Sequence, residues 1–205
     1  MAILYDSPYK GSGQLTRAQF LFYETRTTAK LMMEGLDDTQ IVDRIINENL
    51  FQYPTEKSLK TMAKTCIARL HALGDDNLVS CIASQDSATA KQICLFAMMR
   101  QYRLIWDFMI TVIGGKYHQQ DFSFRRQDIN VFFLQLQEQD DYVASWSEQT
   151  CKKIGSVLMR ILIENEYIDS GRSSVLNPVL ISRVLEEAIH DQGLDIALPA
   201  FNCFV

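Results

Sequence analysis

Apolar residues recur along most of this chain with the spacing of an α-helix, in which one face meets the core every three or four residues. The clearest case lies between residues 145 and 170, where apolar side chains fall at i, i+3, i+4, i+7 and i+8: Ile154, Val157, Leu158, Ile161 and Leu162. No stretch alternates between apolar and polar residues for long, as a half-buried strand would. The pattern therefore predicts a predominantly α-helical protein.

The helix between residues 145 and 170 has a capping signal, a basic face and a polar turn after it. Ser145 precedes Glu148 by three residues, which is the spacing of a capping box. A step of about 100° per residue places a polar set opposite the core: Gln149, Lys152, Ser156 and Arg160, with Lys153 at its edge. Tyr167 and Ile168 leave the helix, the turn DSGRSS follows, and Val175 and Leu176 come next. This order is typical of a winged helix-turn-helix, although an ordinary amphipathic helix ending in a loop fits it equally well.

A second pair of helices lies earlier in the chain. Asp37 or Asp38 caps a helix that runs to about Glu48, residues 49–54 interrupt it, and Thr55 caps a longer helix. The core positions of the longer helix are Leu59, Met62, Ala63, Cys66 and Leu70, and its outer face is Lys57, Lys60, Thr61 and Lys64. The two pairs together predict two helix-turn-helix-like units.

Other elements are predicted at both ends of the chain. Residues 1–14 form an irregular lead-in with a short extended piece at 3–5. The Thr16 to Gln19 spacing predicts another capping box, opening a helix that runs to Glu34 and stops at Gly35. Residues 181–191 predict a last amphipathic helix, and residues 193–205 an extended arm that packs back on the protein.

Between the two helix pairs we expect a short helix at about 76–84 and a long central helix from Ser87 to about Gly114. The predicted architecture is therefore two helix-turn-helix-like units, the C-terminal one a candidate winged unit, around a long central helix. The predicted bounds are 1–86 for the N-terminal unit, 87–123 for the central helix and its loop, and 124–205 for the C-terminal unit.

Composition narrows the class of protein. The 205 residues are enough to bury a hydrophobic core. The net charge of −5 provides no overall attraction to nucleic acid, so any such binding must use a local patch. The most apolar segment, 93–115, contains Arg100, Arg103 and Asp107, which are costly at bilayer depth. The five cysteines form no CxxC pair, and the first residues lack the long apolar core of a signal peptide. We therefore expect a cytoplasmic protein with reduced thiols and no membrane span.

The sequence gives little support for catalysis, a metal or a cofactor. His71, His118 and His190 are far apart and lack metal-ligand spacing. No phosphate-binding glycine loop or nucleophile elbow is present. The pair Asp140–Asp141 is better explained as a helix cap than as a catalytic dyad, and Trp146 as a hydrophobic anchor at a helix start than as a base-stacking platform.

Taken in order, several short motifs resemble the BrxA family of BREX phage-defence systems. They include an early glycine before the helix that carries Glu24, then Glu34-Gly35-Leu36, Glu48-Asn49-Leu50, Ala68-Arg69-Leu70, Trp106-Asp107-Phe108 and Val143 to Glu148, followed by the Lys152–Lys153 helix that ends at Tyr167. They span roughly residues 10–180. The chain has Asn165-Glu166 where the family pattern has a small residue and a glycine, and the tail after about residue 190 matches nothing in it.

The resemblance implies a small, helical, cytoplasmic, non-enzymatic component encoded beside a DNA methyltransferase, ATPases and a phosphatase-like protein. It also implies binding to double-stranded DNA. The basic helix faces fit that expectation, with two candidate patches for DNA: Lys57, Lys60, Thr61 and Lys64 in one, and Gln149, Lys152, Lys153, Ser156 and Arg172 in the other. Because lysines favour phosphates and only Gln149 is suited to reading a base, low sequence specificity is expected. The alternative is a protein–protein adaptor that holds other defence components together.

Overall fold

A computed structural model of the protein describes residues 6–204, and these are predominantly helical as predicted. The α-helices, in chain order, are α1 (Phe22–Met33), α2 (Asp38–Asn47), α3 (Glu56–Ala72), α4 (Asp76–Ser84), α5 (Ser87–Gln101), α6 (Arg103–Asp107), α7 (Gly115–His118), α8 (Arg126–Gln139), α9 (Asp141–Ala144), α10 (Glu148–Glu164) and α11 (Arg183–Asp191). Within residues 6–204 the β-pairing is limited to one antiparallel bridge, between Ser123 and Val175. The extended piece expected at residues 3–5 lies outside the described residues.

The chain divides into two compact units, each built from discontinuous segments. Unit 1 contains residues 6–19, 102–180 and 196–204, and unit 2 contains residues 20–101 and 181–195. The division passes through the segment predicted as one central helix, at 101/102, so the bounds differ from those expected from the sequence.

Unit 2 is a bundle in which α3 packs on α1, α2 and α5, and α4 packs on α1 and α5. Asp37 caps α2 in a capping box with Gln40, and Thr55 caps α3 through a hydrogen bond from the Ser58 amide at 3.2 Å. All five predicted core positions of α3 are buried. Every side chain of α5 from Ile93 to Met99 is buried, which places that helix inside the bundle.

The first long helix begins later than the sequence predicted. Thr16 lies at the end of a 3₁₀ turn, Ser12–Thr16, and the helix starts at Phe22 after Leu21, whose φ is +54°. The capping box at Thr16 is therefore wrong, and both Leu15 and Phe20 are buried before the helix starts. The predicted stop is confirmed, since Gly35 has φ +82° and its amide donates to the Met32 carbonyl at 2.9 Å.

The segment predicted as one central helix is interrupted, so it does not form a single continuous helix. It breaks at Tyr102, which has extended backbone angles (φ −124°, ψ +111°), and resumes as α6 and a π-helix, Phe108–Gly114. The break contains neither glycine nor proline. Tyr102 is buried while Gln101 and Arg103 on either side are exposed, so the extended backbone turns one side chain inward between two polar ones.

The C-terminal segment is also different from the expected extended arm. Asp195–Phe201 forms a 3₁₀ helix. In unit 1, Pro199 approaches Gly114 so closely that a Cβ there would lie 3.1 Å from it, and the buried Tyr167 hydroxyl donates to the Ala200 carbonyl at 2.9 Å. The expectation that this segment packs back on the protein is therefore correct, and its predicted conformation is wrong.

Candidate nucleic-acid interface

The start of α10 is set by Ser147 rather than by Ser145. The Ser147 hydroxyl accepts a hydrogen bond from the Thr150 amide at 3.2 Å, whereas the Ser145 hydroxyl donates to the Tyr142 carbonyl at 2.6 Å. The predicted capping box at Ser145 is wrong because a single helical turn, α9, ends there. Asp140 caps that turn, as expected, by accepting from the Val143 amide at 3.0 Å.

Trp146 lies two residues before α10 and packs on aromatic side chains of α8 and α9. Its indole is half-buried and meets the rings of Phe133 and Tyr142 edge to face, with centroid distances of 6.4 and 5.9 Å. This is the packing expected of a hydrophobic anchor, and it orients the first turn of α10 against α8.

The two faces of α10 are separated as the sequence predicted. The five core positions from Ile154 to Leu162 are buried, and the Gly155 backbone lies against α8, where an added Cβ would be 3.2 Å from Ile129. The opposite face presents exposed side chains to solvent: Gln149, Lys152, Lys153, Ser156 and Arg160.

Three side chains on this exposed face already have partners: Lys152, Ser156 and Arg160, the last 3.7 Å from Glu164. Lys153 is free of ion pairs and hydrogen bonds within residues 6–204. Lys152 Nζ lies 2.6 Å from Glu148, whose carboxyl pKa is lowered by that contact. The Ser156 hydroxyl donates to the Lys152 carbonyl at 2.9 Å. It also accepts from the Arg126 guanidinium of α8 at 3.1 Å.

Arg126 is a candidate that the sequence reasoning missed. It is exposed and belongs to the pair Arg125–Arg126 at the start of α8, and its contact with Ser156 extends the basic face of α10 onto a second helix. The adjacent arginines were a visible signal, but only the packing of α8 on α10 brings them to this face.

The turn that follows α10 is closed at its base and paired to a segment before α8. The Asn177 amide donates to the Tyr167 carbonyl at 2.7 Å, which closes the loop. Beyond it, the Phe124 amide donates to Ser174 at 3.1 Å and the Leu176 amide to Phe122 at 2.7 Å. The expected hairpin therefore has its β-pairing with residues 122–124, and Arg172 is exposed at the turn.

The second lysine face, on α3 of unit 2, is exposed along its whole length. Lys57, Lys60 and Lys64 have neither ion pairs nor hydrogen bonds from their ammonium groups among the described residues. Thr61 donates its hydroxyl to the Lys57 carbonyl at 2.8 Å, so that donor is already used.

Acidic side chains border this face, which the sequence did not indicate. Lys60 and Lys64 line a groove of about 470 Å³ together with Asp38 and Asp43 of α2. His71 lines the same groove, and its Nε2 lies 2.9 Å from Asp38. The α3 face therefore has mixed charge on its α2 side.

Within 6–204, no group of three or more His, Cys, Asp or Glu side chains is arranged to hold a metal ion. The five cysteines are free thiols, and burial raises the pKa of Cys66 to about 11, which disfavours a reactive thiolate. No helix in the described part of the chain is long and apolar enough to cross a membrane.

Comparison with known proteins identifies relatives over most of the chain. The family model described as BrxA matches residues 8–193. A BREX protein BrxA from Bacillus cereus (strain H3081.97) is 33% identical over 168 residues, covering 81% of this chain and 84% of the relative. One from Escherichia coli O9:H4 (strain HS) is 24% identical, covering 82% and 79%. A crystal structure of an uncharacterized protein from Magnetospirillum magneticum has a similar fold, with a TM-score of 0.80 at 20% identity over 95% of this chain and 98% of that one.

Proposed function

The chain belongs to the BrxA family of BREX phage-defence systems, and from this premise we propose that it is a non-enzymatic accessory protein that binds double-stranded DNA with low sequence specificity. In this proposal it acts in the cytoplasm with the other BREX components: a methyltransferase, ATPases and a phosphatase-like protein. The observation that carries the proposal is the exposed face of α10, continued by Arg126 of α8.

The shape of this face supports contact with a duplex. Helices α8 and α10, joined through the single turn α9, would act as the helix-turn-helix, with α10 entering the major groove. The turn at Arg172, held by its pairing with residues 122–124, would act as a wing along the backbone. Gln149 lies near the N-terminus of α10, the end from which such helices contact base edges.

The chemistry of the face supports phosphate contacts rather than base readout. Its cations are Lys152, Lys153, Arg126 and Arg160, of which Arg160 is paired with Glu164. Lysine binds phosphate as a point charge without reading sequence. The Lys152–Glu148 pair is exposed, so exchanging Glu148 for a phosphate costs little. Lys57, Lys60 and Lys64 of α3 are proposed as a second contact region, with α2 and α3 as a second helix-turn-helix-like pair.

The test is a titration of labelled, unrelated duplexes at several salt concentrations, read by fluorescence anisotropy. Four to six phosphate contacts predict similar affinity for all duplexes and a log–log salt slope of roughly −4 to −5. A slope near zero, or tight binding to one sequence alone, would contradict the proposal.

A second candidate function is that of an adaptor between other defence proteins. It is favoured by the net charge of −5 and by Asp38 and Asp43 beside the lysines of α3. If basic-face variants keep their partners in pull-downs from the intact operon and wild-type protein shifts no duplex, the adaptor function replaces the first proposal.

A further inference from the structure

A groove of about 770 Å³ opens at one end of the unit 2 bundle. It lies where α1 and α3 end and where α2 and α4 begin. Its apolar lining comes from Met32, Met33, Leu36, Leu70 and Val79, and Met33 is 53% exposed. The volume lies within the range of roughly 300–1,000 Å³ that is usual for ligand-binding clefts.

Four carboxylates surround this apolar lining: Asp37, Asp38, Asp75 and Asp76. Asp37 and Asp75 each use one oxygen to accept two backbone amides of the helix that they cap, which leaves the other oxygen available. Asp38 contacts His71, and Asp76 has no partner within residues 6–204. The lining contains no lysine or arginine.

The helix ends around the groove add to its negative potential. The C-termini of α1 and α3 carry partial negative charge. The opposing positive ends of α2 and α4 are offset by the caps Asp37 and Asp75. A phosphate backbone is therefore repelled here, and a cation next to an apolar side chain is favoured.

We propose that this groove docks a short segment of a partner protein that carries lysine or arginine residues next to one apolar anchor. The anchor packs on Met33, Leu36 and Val79, and the cations reach the aspartates at the rim. The lysine faces of α3 and α10 lack an exposed apolar residue among their lysines and therefore do not match this groove. The docking groove shares Asp38 and His71 with the groove beside Lys60 and Lys64, but the proposal does not depend on DNA binding.

The experiment begins with selection of a phage-displayed library of random dodecapeptides against the full chain. Enriched peptides are then synthesised with a fluorescent label and titrated by anisotropy. The variant Asp37→Asn/Asp75→Asn/Asp76→Asn removes three charges while keeping both caps, since asparagine caps helices as well as aspartate does. The matched control, Glu56→Gln/Glu138→Gln/Asp141→Asn, changes the net charge equally at exposed positions outside the groove.

We expect enriched peptides that combine basic residues with an apolar one and that bind the triple asparagine variant at least tenfold more weakly. The affinity of these peptides for the control variant should change less than threefold. Met33→Ser should weaken peptide binding without altering its dependence on salt concentration. Melting curves identify any variant that fails to fold; in that case Asp76→Asn alone, which touches no cap hydrogen bond, provides the test. The proposal is overturned by selection without basic enrichment, by unchanged binding to the asparagine variants, or by equal loss in the control.

Discussion

The lysine faces of α3 and α10 are alike in sequence and different in their surroundings. Each lies opposite a buried apolar stripe on a 17-residue helix that a serine or threonine caps. On α3 the neighbouring helix contributes Asp38 and Asp43 to the groove beside Lys60 and Lys64. On α10 the neighbouring helix contributes Arg126, which binds Ser156.

The difference shows that a basic stripe on one helix does not define a basic surface. Electrostatic interactions extend over about 10 Å at 0.1 M salt, so side chains from adjacent helices contribute as much as the helix itself. We therefore expect the α10 face to be the stronger DNA contact and the α3 face the weaker one. The following predictions test that order.

Trp146→Ala is expected to have the largest effect, because it removes the anchor that orients α10 while leaving α3 intact. Loss of a half-buried indole and its two edge-to-face contacts should lower the free energy of unfolding by about 2 kcal/mol. Chemical denaturation measures the loss, and Trp146→Phe should recover most of it. An unchanged melting temperature together with lost DNA binding would show that the indole contacts DNA or a partner instead.

Lys152→Glu with Lys153→Glu should weaken DNA binding at least tenfold for every duplex, because the change reverses the charge at two phosphate contacts. Both positions are exposed, so stability should change by only about 0.5 kcal/mol. The salt slope should flatten by about one per lost contact. Unchanged affinity with an intact fold would remove α10 from the interface.

Lys57→Glu, Lys60→Glu and Lys64→Glu should together weaken binding by only about threefold to fivefold, although three charges are reversed. The smaller effect follows from the aspartates that already reduce the positive potential of this face. A loss greater than that of the α10 double variant would reverse the proposed order. No loss at all would confine DNA binding to unit 1.

Arg126→Gln should weaken binding by about threefold while leaving the helices intact, because one exposed cation and one hydrogen bond to Ser156 are lost. Arg100→Gln, an exposed arginine of α5 in unit 2 that likewise makes one hydrogen bond, to the Ala72 carbonyl, serves as the matched control. Equal effects of the two changes would show that only net charge matters.

The smallest effect is expected for Asp43→Asn, which should strengthen binding by about twofold if α3 meets DNA. Removing one carboxylate from the groove makes the potential around Lys60 and Lys64 more positive. The gain should vanish when the same change is made in the Lys57→Glu/Lys60→Glu/Lys64→Glu background, which a double-mutant comparison measures directly.

The sequence alone determined the position of those helices whose buried apolar stripe and capping residues lie close together in the chain. The stripes of α3 and α10, the cap at Thr55, the stop at Gly35 and the bounds of α4 depend on residues within one or two turns of each other, so periodicity and capping rules find them. The resemblance to the BrxA family likewise rested on an ordered set of short motifs, and the comparisons confirm it.

Tertiary structure decided the features that depend on residues far apart in the chain. The break at Tyr102 has no glycine or proline to mark it, and its extended backbone buries Tyr102 while Gln101 and Arg103 stay exposed. The conformation of the tail depends on Pro199 meeting Gly114, and the orientation of the first turn of α10 depends on the packing of Trp146 against Phe133. The charges beside each lysine face come from other helices, because a side chain's potential depends on distance in space and not on separation in sequence.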